Sequence, residues 1–325
     1  MTPLRDGHGR TVDHLRLSVT SACNLRCQYC RPRGPEPMRS RAEEWTDGQR
    51  VDLVRWLHES HGLAQVRITG GEPLLHAGLA GLVRRIRAVA PGIEIAITTN
   101  GLLLADRVAA LRGAGLDRLN ISLDSLDGQA YRRITGGDLN QVLAGIDAAR
   151  NIGFSRIKIN TVVLSGVNDH EIASLARWAL VRGFEIRFLE AMEIGPAAAF
   201  NRAHFVSMRD VRRILSDEFQ LSPLSRSPGE TATRYSARAE GVAGVVGFIA
   251  PITERFCGQC RRIRVTADGR LFPCLLDSRS TDLRPAWVGD WFDAATAEAI
   301  LRDSLQAKPE SGRLSQQTAM VQLGG

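Results

Sequence analysis

Lysine is almost missing from this 325-residue chain. Only Lys158 and Lys308 occur, so forty of the 42 basic residues are arginine. Genome-wide codon bias produces such a skew, so arginine richness is not itself read as function. Long apolar runs are also missing. No stretch of eighteen apolar residues occurs, and nothing reads as membrane-spanning. The N-terminal MTPLRDGHGRTVDHLR lacks the apolar centre of a signal peptide. A cytoplasmic protein with reduced thiols is therefore expected, and clustered cysteines then suggest metal or catalysis. Aromatic residues make up 6%, and no basic run interleaves with them. The formal charge of +7 thus points to solvated faces plus one small anionic ligand, and no nucleic acid is expected. The seven histidines show no ligand spacing, and His58 and His61 read as solvent-facing on one helix.

What is present is a chain with 44% hydrophobic residues, enough for two domains or one barrel-sized domain with an extension. Strand patterns fall at 14–20, 65–70, 93–99, 117–123, 156–164 and 185–190. Helical patterns fall near 47–60, 77–89, 104–113, 127–134, 139–151 and 169–182. The alternation predicts βα units and an α/β fold, an incomplete (β/α)6 TIM-like barrel. A partial barrel over 1–220 and a C-terminal β-rich domain over 221–325 are expected. Residues 221–234 read as a linker and 234–250 as short strands. RRIRVTADGRLFPCLL reads as a hairpin with a type I′ turn at Asp268-Gly269, and a helix is expected near 291–305. Barrel chemistry sits on loops after the strands. Such loops hold the cysteines at 23–30, Gly70-Gly71-Glu72-Pro73, Thr98-Thr99-Asn100-Gly101, Ser122-Leu123-Asp124 and Glu190-Ala191-Met192-Glu193.

All six cysteines fall into two trios, Cys23-x3-Cys27-x2-Cys30 and Cys257-x2-Cys260-x13-Cys274. A hairpin flanked by residues 267 and 270 would set Cys274 opposite residue 263, at the same end as Cys260. Structural zinc takes four protein ligands. A [4Fe–4S] cubane needs one outer ligand per iron, so three thiolates leave one iron open to a small molecule. Zinc with a histidine or carboxylate as fourth ligand is the alternative for either trio. A disulfide set would require export.

With C-x3-C-x2-C after the first strand, the chain resembles the radical S-adenosylmethionine enzymes. GRTVDHLRLSVTSACNLRCQYC, RITGGEPLL, TTNGLLL, LNISLDSL, RFLEAMEIG, IAPITERFCGQCRRIRVTADGRLFPCLL and the terminal Gly324-Gly325 resemble the GTP 3′,8-cyclase family of molybdenum cofactor biosynthesis. The resemblance implies two [4Fe–4S] clusters, one on Cys23, Cys27 and Cys30, the other on Cys257, Cys260 and Cys274 in the C-terminal extension. It implies S-adenosyl-L-methionine at Tyr29, Gly71, Ser122 and Met192, with the glycines allowing close backbone approach. It implies GTP at Arg16, Arg67, Thr98, Lys158, Arg262 and Arg264, with Gly324 and Gly325 threading back towards that pocket. Cluster-driven cleavage of the cosubstrate would yield an adenosyl radical that removes the C3′ hydrogen of GTP. The carbon radical would close onto C8, and Arg262 or Arg264 would stabilise a late aminyl-type radical. An external electron donor and a downstream cyclic pyranopterin monophosphate synthase are the implied partners. A homodimer is compatible with the resemblance.

The residues support an anion on their own. Arg16, Arg67 and Lys158 sit in apolar strands, where a charge is costly unless paired. The bland explanation is ion pairing with Asp124 or Glu190. Arg262 and Arg264 are two apart, hence on one strand face. Retaining lysine at 158 in so arginine-rich a chain suggests that a compact ammonium is needed. Lys308 could be merely solvated, and Tyr29 and Met192 could be packing residues. Ser21-Ala22, Arg31, His76 and Arg261 depart from the family pattern beside the motifs. The rival readings are a peptide-modifying radical S-adenosylmethionine enzyme and a non-catalytic iron–sulfur or zinc protein that binds nucleic acid.

Overall fold

The computed structural model describes residues 1–31 and 44–312. Six βα units build its centre. Their strands are β1 (His14–Ser18), β2 (Gln65–Thr69), β3 (Glu94–Thr99), β4 (Arg118–Ser122), β5 (Ile157–Val163) and β6 (Glu185–Glu190). The helices among them are α1 (Asp47–His61), α2 (Leu79–Val89), α3 (Leu104–Gly113), α4 (Gly128–Thr135), α5 (Leu139–Asn151) and α6 (Ile172–Val181). Each strand pairs in parallel with the next. Helix α1 begins as its sequence suggests, with a capping box from Thr46 and Gln49, and ends at Gly62 with φ 69°. Beyond β6 come α7 (Ala198–Ala203) and α8 (Met208–Ser216).

The later strands are β7 (Gln220–Pro223), β8 (Thr233–Ala239), β9 (Val242–Ile249), β10 (Arg262–Val265), β11 (Arg270–Phe272) and β12 (Thr281–Asp282), followed by α9 (Ala294–Gln306). They extend the same sheet at both edges. The order is β12-β11-β10-β1-β2-β3-β4-β5-β6-β9-β8-β7, with β9 parallel to β6 and β10 parallel to β1. The barrel stays open, its ends being antiparallel hairpins. Residues 221–223, read as linker, pair with β8 instead. Their Ser and Pro content suits an exposed edge strand. No described helix is long and apolar enough to cross a membrane.

Strand alternation sorts the side chains. Leu15, Leu17, Val66, Ile68, Ile95, Ile97, Leu119, Ile121, Ile159, Ile186 and Phe188 pack outward into the core beneath the helices. The opposite face carries Arg16, Arg67, Thr98, Asn120, Lys158 and Arg187. A closed βα barrel fills that interior with branched apolar residues. Here it is polar and cationic, which makes it a ligand chamber.

Four sequence readings fail locally. Arg264 pairs with Phe272 and Val265 with Leu271, so Cys274 stands opposite Arg262, not residue 263. Asp268 does not adopt positive φ, while Gly269 does, at 81°. The loop is thus Ala267-Asp268-Gly269, a three-residue turn with glycine in the left-handed position, not a type I′ turn. His61 is buried, its Nε2 2.8 Å from Glu298 Oε2, because α9 covers that face of α1. Lys308 is also buried, not solvated.

Candidate active site

The first cysteine loop leaves β1 at the rim where the strands end. It turns tightly, Cys27 O accepting from the amides of Cys30 and Arg31 at 3.0 and 2.8 Å. It docks on the last turn of α4, where Arg26 N and Gln28 N donate to Thr135 O and Ile134 O. All six cysteines are free thiols. Burial, then Asp124, then the Cys30 and Cys23 thiols push the Cys27 thiol well above its ordinary range. The trio therefore converges on one spot. Among the described residues, no three His, Cys, Asp or Glu close tightly enough for a single metal ion. Three thiols on one short loop fit, by number and type of donor, a cubane held by three corners.

Gly70 and Gly71 pack against the chain entering that loop. A Cβ on Gly70 would lie 2.6 Å from Thr20 O, and one on Gly71 2.2 Å from Ala22 O. Glycine is needed here for backbone-to-backbone contact, whereas sequence reading assigned that contact to the ligand. Gly71 N and Glu72 N donate to Thr20 O and Ala22 O, each at 2.7 Å. Glu72 then accepts from Leu74 N, Thr99 Oγ1 and Asn100 N. Burial raises its carboxyl to about 7 against the pull of these donors. Asn100 Nδ2 reaches Asn24 Oδ1 at 2.8 Å, closing a lock between the loops after β1, β2 and β3.

Tyr29 donates its hydroxyl to Asp124 Oδ2 at 2.7 Å. Asp124 thus serves the cysteine loop and is no partner for the interior cations. Met192 follows β6 on the same rim. Asn201 of α7 donates Nδ2 to both Tyr29 O and Met192 O, at 2.9 and 2.6 Å. No spacing pattern marks Asn201 in the sequence; only folding brings it between the two loops. Ser122 ends β4, in register with Asn160 of β5. Asn160 Oδ1 is buried without a hydrogen-bond partner.

Below the rim, at the other end of the strands, a cavity of about 190 Å³ opens inside the sheet. Arg16, Arg67, Lys158 and Arg262 line it, as the sequence suggested, together with Arg118, Arg156 and Arg187. Burial, then Arg264 and Arg262, push the Arg16 pKa well below its usual value; burial, then Arg16 and Arg118, do the same to Arg67. Among the described residues neither is in an ion pair, and Arg67 Nε is buried without a partner. Lys158 does pair, 3.0 Å from Glu185, which also holds Arg187 at 2.5 Å. Glu190 is not the partner that sequence reading offered. It accepts from the backbone amides of Met208, Ile252 and Thr253. His14 reports the cation density: burial, then Arg262 and Arg67, hold it down to about 4. Thr98 Oγ1 is buried and unpartnered above the cavity. Arg187 was legible in EIRFLE by the same rule that marked Lys158, a cation at an inward position of an apolar strand.

The second trio lies next to Arg262, which lines this cavity. Cys260 precedes β10, Cys274 follows β11, and Cys257 opens a short turn before them. Burial raises the Cys260 thiol, but Arg262 and Lys308 outweigh it and hold it at about 6. Burial, then the Arg262 charge, depress Arg264 to about 9, and Cys274 and Cys260 act in the other direction. The C-terminal segment crosses this region. Lys308 Nζ donates to Arg262 O at 2.9 Å, and Arg10 grips Cys257 O, Pro309 O and Glu310 O. A Cβ on Gly312 would sit 2.9 Å from Cys274 Sγ. Gly324 and Gly325 lie outside the described residues. Of the departures noted, Arg261 forms a bidentate pair with Asp13, which ties β10 to β1, and His76 pairs with Asp47 at the start of α1. Ser21 bonds Glu44, and Ala22 carries the carbonyl that receives Glu72 N.

Residues 17–179 match the radical SAM superfamily and 184–314 match Molybdenum Cofactor Synthesis C. A GTP 3′,8-cyclase of Alkaliphilus metalliredigens is 39% identical over 94% of this chain and 93% of its own length. One of Pseudomonas entomophila is 42% identical over 94% and 91%. One of Pelotomaculum thermopropionicum is 38% identical over 99% and 100%. The crystal structure of Streptococcus suis SuiB bound to S-adenosylmethionine superposes with a TM-score of 0.61 at 15% identity, over 94% of this chain and 74% of that one. That likeness bears on the fold alone.

Proposed function

Because the chain belongs to the radical SAM superfamily and, within it, to the GTP 3′,8-cyclase family, we propose that its polar barrel is where GTP is bound and closed on itself. The enzyme converts GTP to (8S)-3′,8-cyclo-7,8-dihydroguanosine 5′-triphosphate, the first step of molybdenum cofactor biosynthesis. The observation that carries this reading is the charge of the cavity. Among the described residues, Arg16, Arg67, Arg118, Arg156, Lys158, Arg187 and Arg262 line it with the carboxylates Glu94 and Glu230, and Glu185 pairs with Lys158 and Arg187. The excess of positive charge suits the roughly four negative charges of a nucleoside triphosphate.

Cys23, Cys27 and Cys30 would hold the first [4Fe–4S] cluster, and Tyr29, Gly71, Ser122 and Met192 would line the S-adenosyl-L-methionine site. When bound, these groups supply a carbon-centred adenosyl radical, the hard step that no side chain can perform. The protein's part is placement. Asp124 and Asn201 fix Tyr29 and Met192 against each other, and the Glu72 lock fixes the rim loops. The cavity cations hold the triphosphate, and Thr98 Oγ1 meets the nucleotide above them. This leaves the ribose between the rim and the second trio. Cys257, Cys260 and Cys274 would carry a second [4Fe–4S] cluster and so bring iron–sulfur chemistry to the base end of the nucleotide. Arg262 and Arg264, rising from that trio on β10, supply positive charge where the ring closes. The tail starts across Cys274 at Gly312. Gly324 and Gly325, outside the described residues, would return towards the cavity. An external donor supplies electrons, and cyclic pyranopterin monophosphate synthase takes the product.

Anaerobic reconstitution followed by iron counting tests the reading. About eight irons per chain are expected, with 5′-deoxyadenosine formed in response to GTP and not to ATP, CTP or UTP. Replacing Cys257, Cys260 and Cys274 by Ala should halve the iron. Unchanged iron removes the second cluster, and absence of a GTP response removes the substrate.

A further inference from the structure

Resting on the reading of the cavity as a nucleotide site, we propose that Arg118 binds the terminal phosphate and that Glu94 is the internal carboxylate with which this phosphate competes. Arg118 is the first residue of β4 and points inward, 4% exposed. Its Nη2 contacts Glu94, while its Nε is buried without a hydrogen-bond partner. A guanidinium offers five donors in a planar fork that suits phosphate, and a buried donor left unpaired is costly. Glu94 is heavily shared. It also holds Arg156 Nη2 at 3.0 Å and Gln65 Nε2 at 2.6 Å. One carboxylate among two guanidiniums and an amide leaves cationic valence over. Arg187 and Arg67 lie within electrostatic reach of Arg118 and add repulsion that an anion would relieve.

Position along the strands assigns the phosphate. Arg118 opens β4, Glu94 opens β3, and Arg156 precedes β5, all at the end furthest from the first cysteine trio. Arg16, Arg67 and Arg187 stand at the third positions of their strands, further in. A nucleotide whose ribose faces the rim extends its phosphates the opposite way, so the last one meets Arg118, the buried cation at that end, Arg156 beyond it being half exposed. Arg118 would then distinguish a triphosphate from a diphosphate, which the inner cations cannot do.

The test is calorimetric titration of GTP and GDP into the full chain, reconstituted anaerobically with iron and sulfide. Arg118→Met should raise the Kd for GTP by about tenfold or more, the scale of one charge-assisted contact, and that for GDP by less than about twofold. Glu94→Gln should lower the Kd for GTP. These opposite signs separate a phosphate contact from a structural ion pair, whose loss would weaken both nucleotides in both variants. Arg118→Lys, which keeps the charge, should retain most of the preference for GTP, and it decides the matter with Glu94→Gln should Arg118→Met not fold. Equal losses for GTP and GDP, or weaker GTP binding by Glu94→Gln, overturn the inference alone. An unsubstituted chain that binds no GTP overturns the nucleotide reading with it.

Discussion

Lys158 shows how one side chain turns cavity charge into pH dependence. Burial, then the Arg187 charge, bring its ammonium down to about 8, and Glu185 acts in the other direction. A bound triphosphate stabilises the protonated form, so the nucleotide must bind the protonated chain more tightly. GTP affinity should therefore hold up to about pH 8 and fall from pH 8 to 9. In Lys158→Arg that fall should vanish, because guanidinium stays charged. Calorimetry across this range checks it; a flat profile in the unsubstituted chain is the contrary result. Asn201 tests positioning. Its Nδ2 bridges Tyr29 O and Met192 O. Asn201→Ala should weaken S-adenosyl-L-methionine by about tenfold, the worth of one to two buried hydrogen bonds. GTP affinity should stay unchanged, since Asn201 lies at the rim, away from the cavity. Equilibrium dialysis with each ligand separates the two.

Among the elements, the β10–β11 hairpin sets the second trio. Its register depends on Gly269, which has φ 81° and on which a Cβ would stand 2.2 Å from Trp45 Nε1. Gly269→Ala should cost about 2–4 kcal/mol from left-handed strain and overpacking. Chemical denaturation measures this. The slipped hairpin should also lose second-trio iron first, read as a count falling towards half. Retained stability with full iron would show that the turn does not set the trio. The same hairpin marks a limit of sequence reading. Asp-Gly signalled a turn correctly, but whether two or three residues form it depends on φ at Asp268, which the Trp45 packing on Gly269 and the β1 pairing decide.

Across the whole molecule, the N-terminal segment and the last described residues meet beside β10. Arg10 and Asp6 from the N-terminal segment, Lys308 to Glu310 from the C-terminal one, and Arg262 on β10 form one polar knot, buried at Asp6 and Lys308. Removing a single charge from such a knot strands the others. Lys308→Met should lower stability by about 2–4 kcal/mol, seen as a lower urea midpoint. An unshifted midpoint would mean that the ends are not coupled through this lysine.

The parallel barrel, the two cysteine trios and most inward cations follow from local sequence. Strand alternation, ligand spacing and the expense of charge in apolar strands are short-range chemistry. The continuous sheet that sets β10 beside β1 and β9 beside β6 needed the tertiary structure. So did the joining of Arg118 to the cavity, Asn201 between two rim loops, and burial of His61 and Lys308. Each of these depends on contacts between residues far apart in the chain, and periodicity carries no information about which distant surface will cover a given residue.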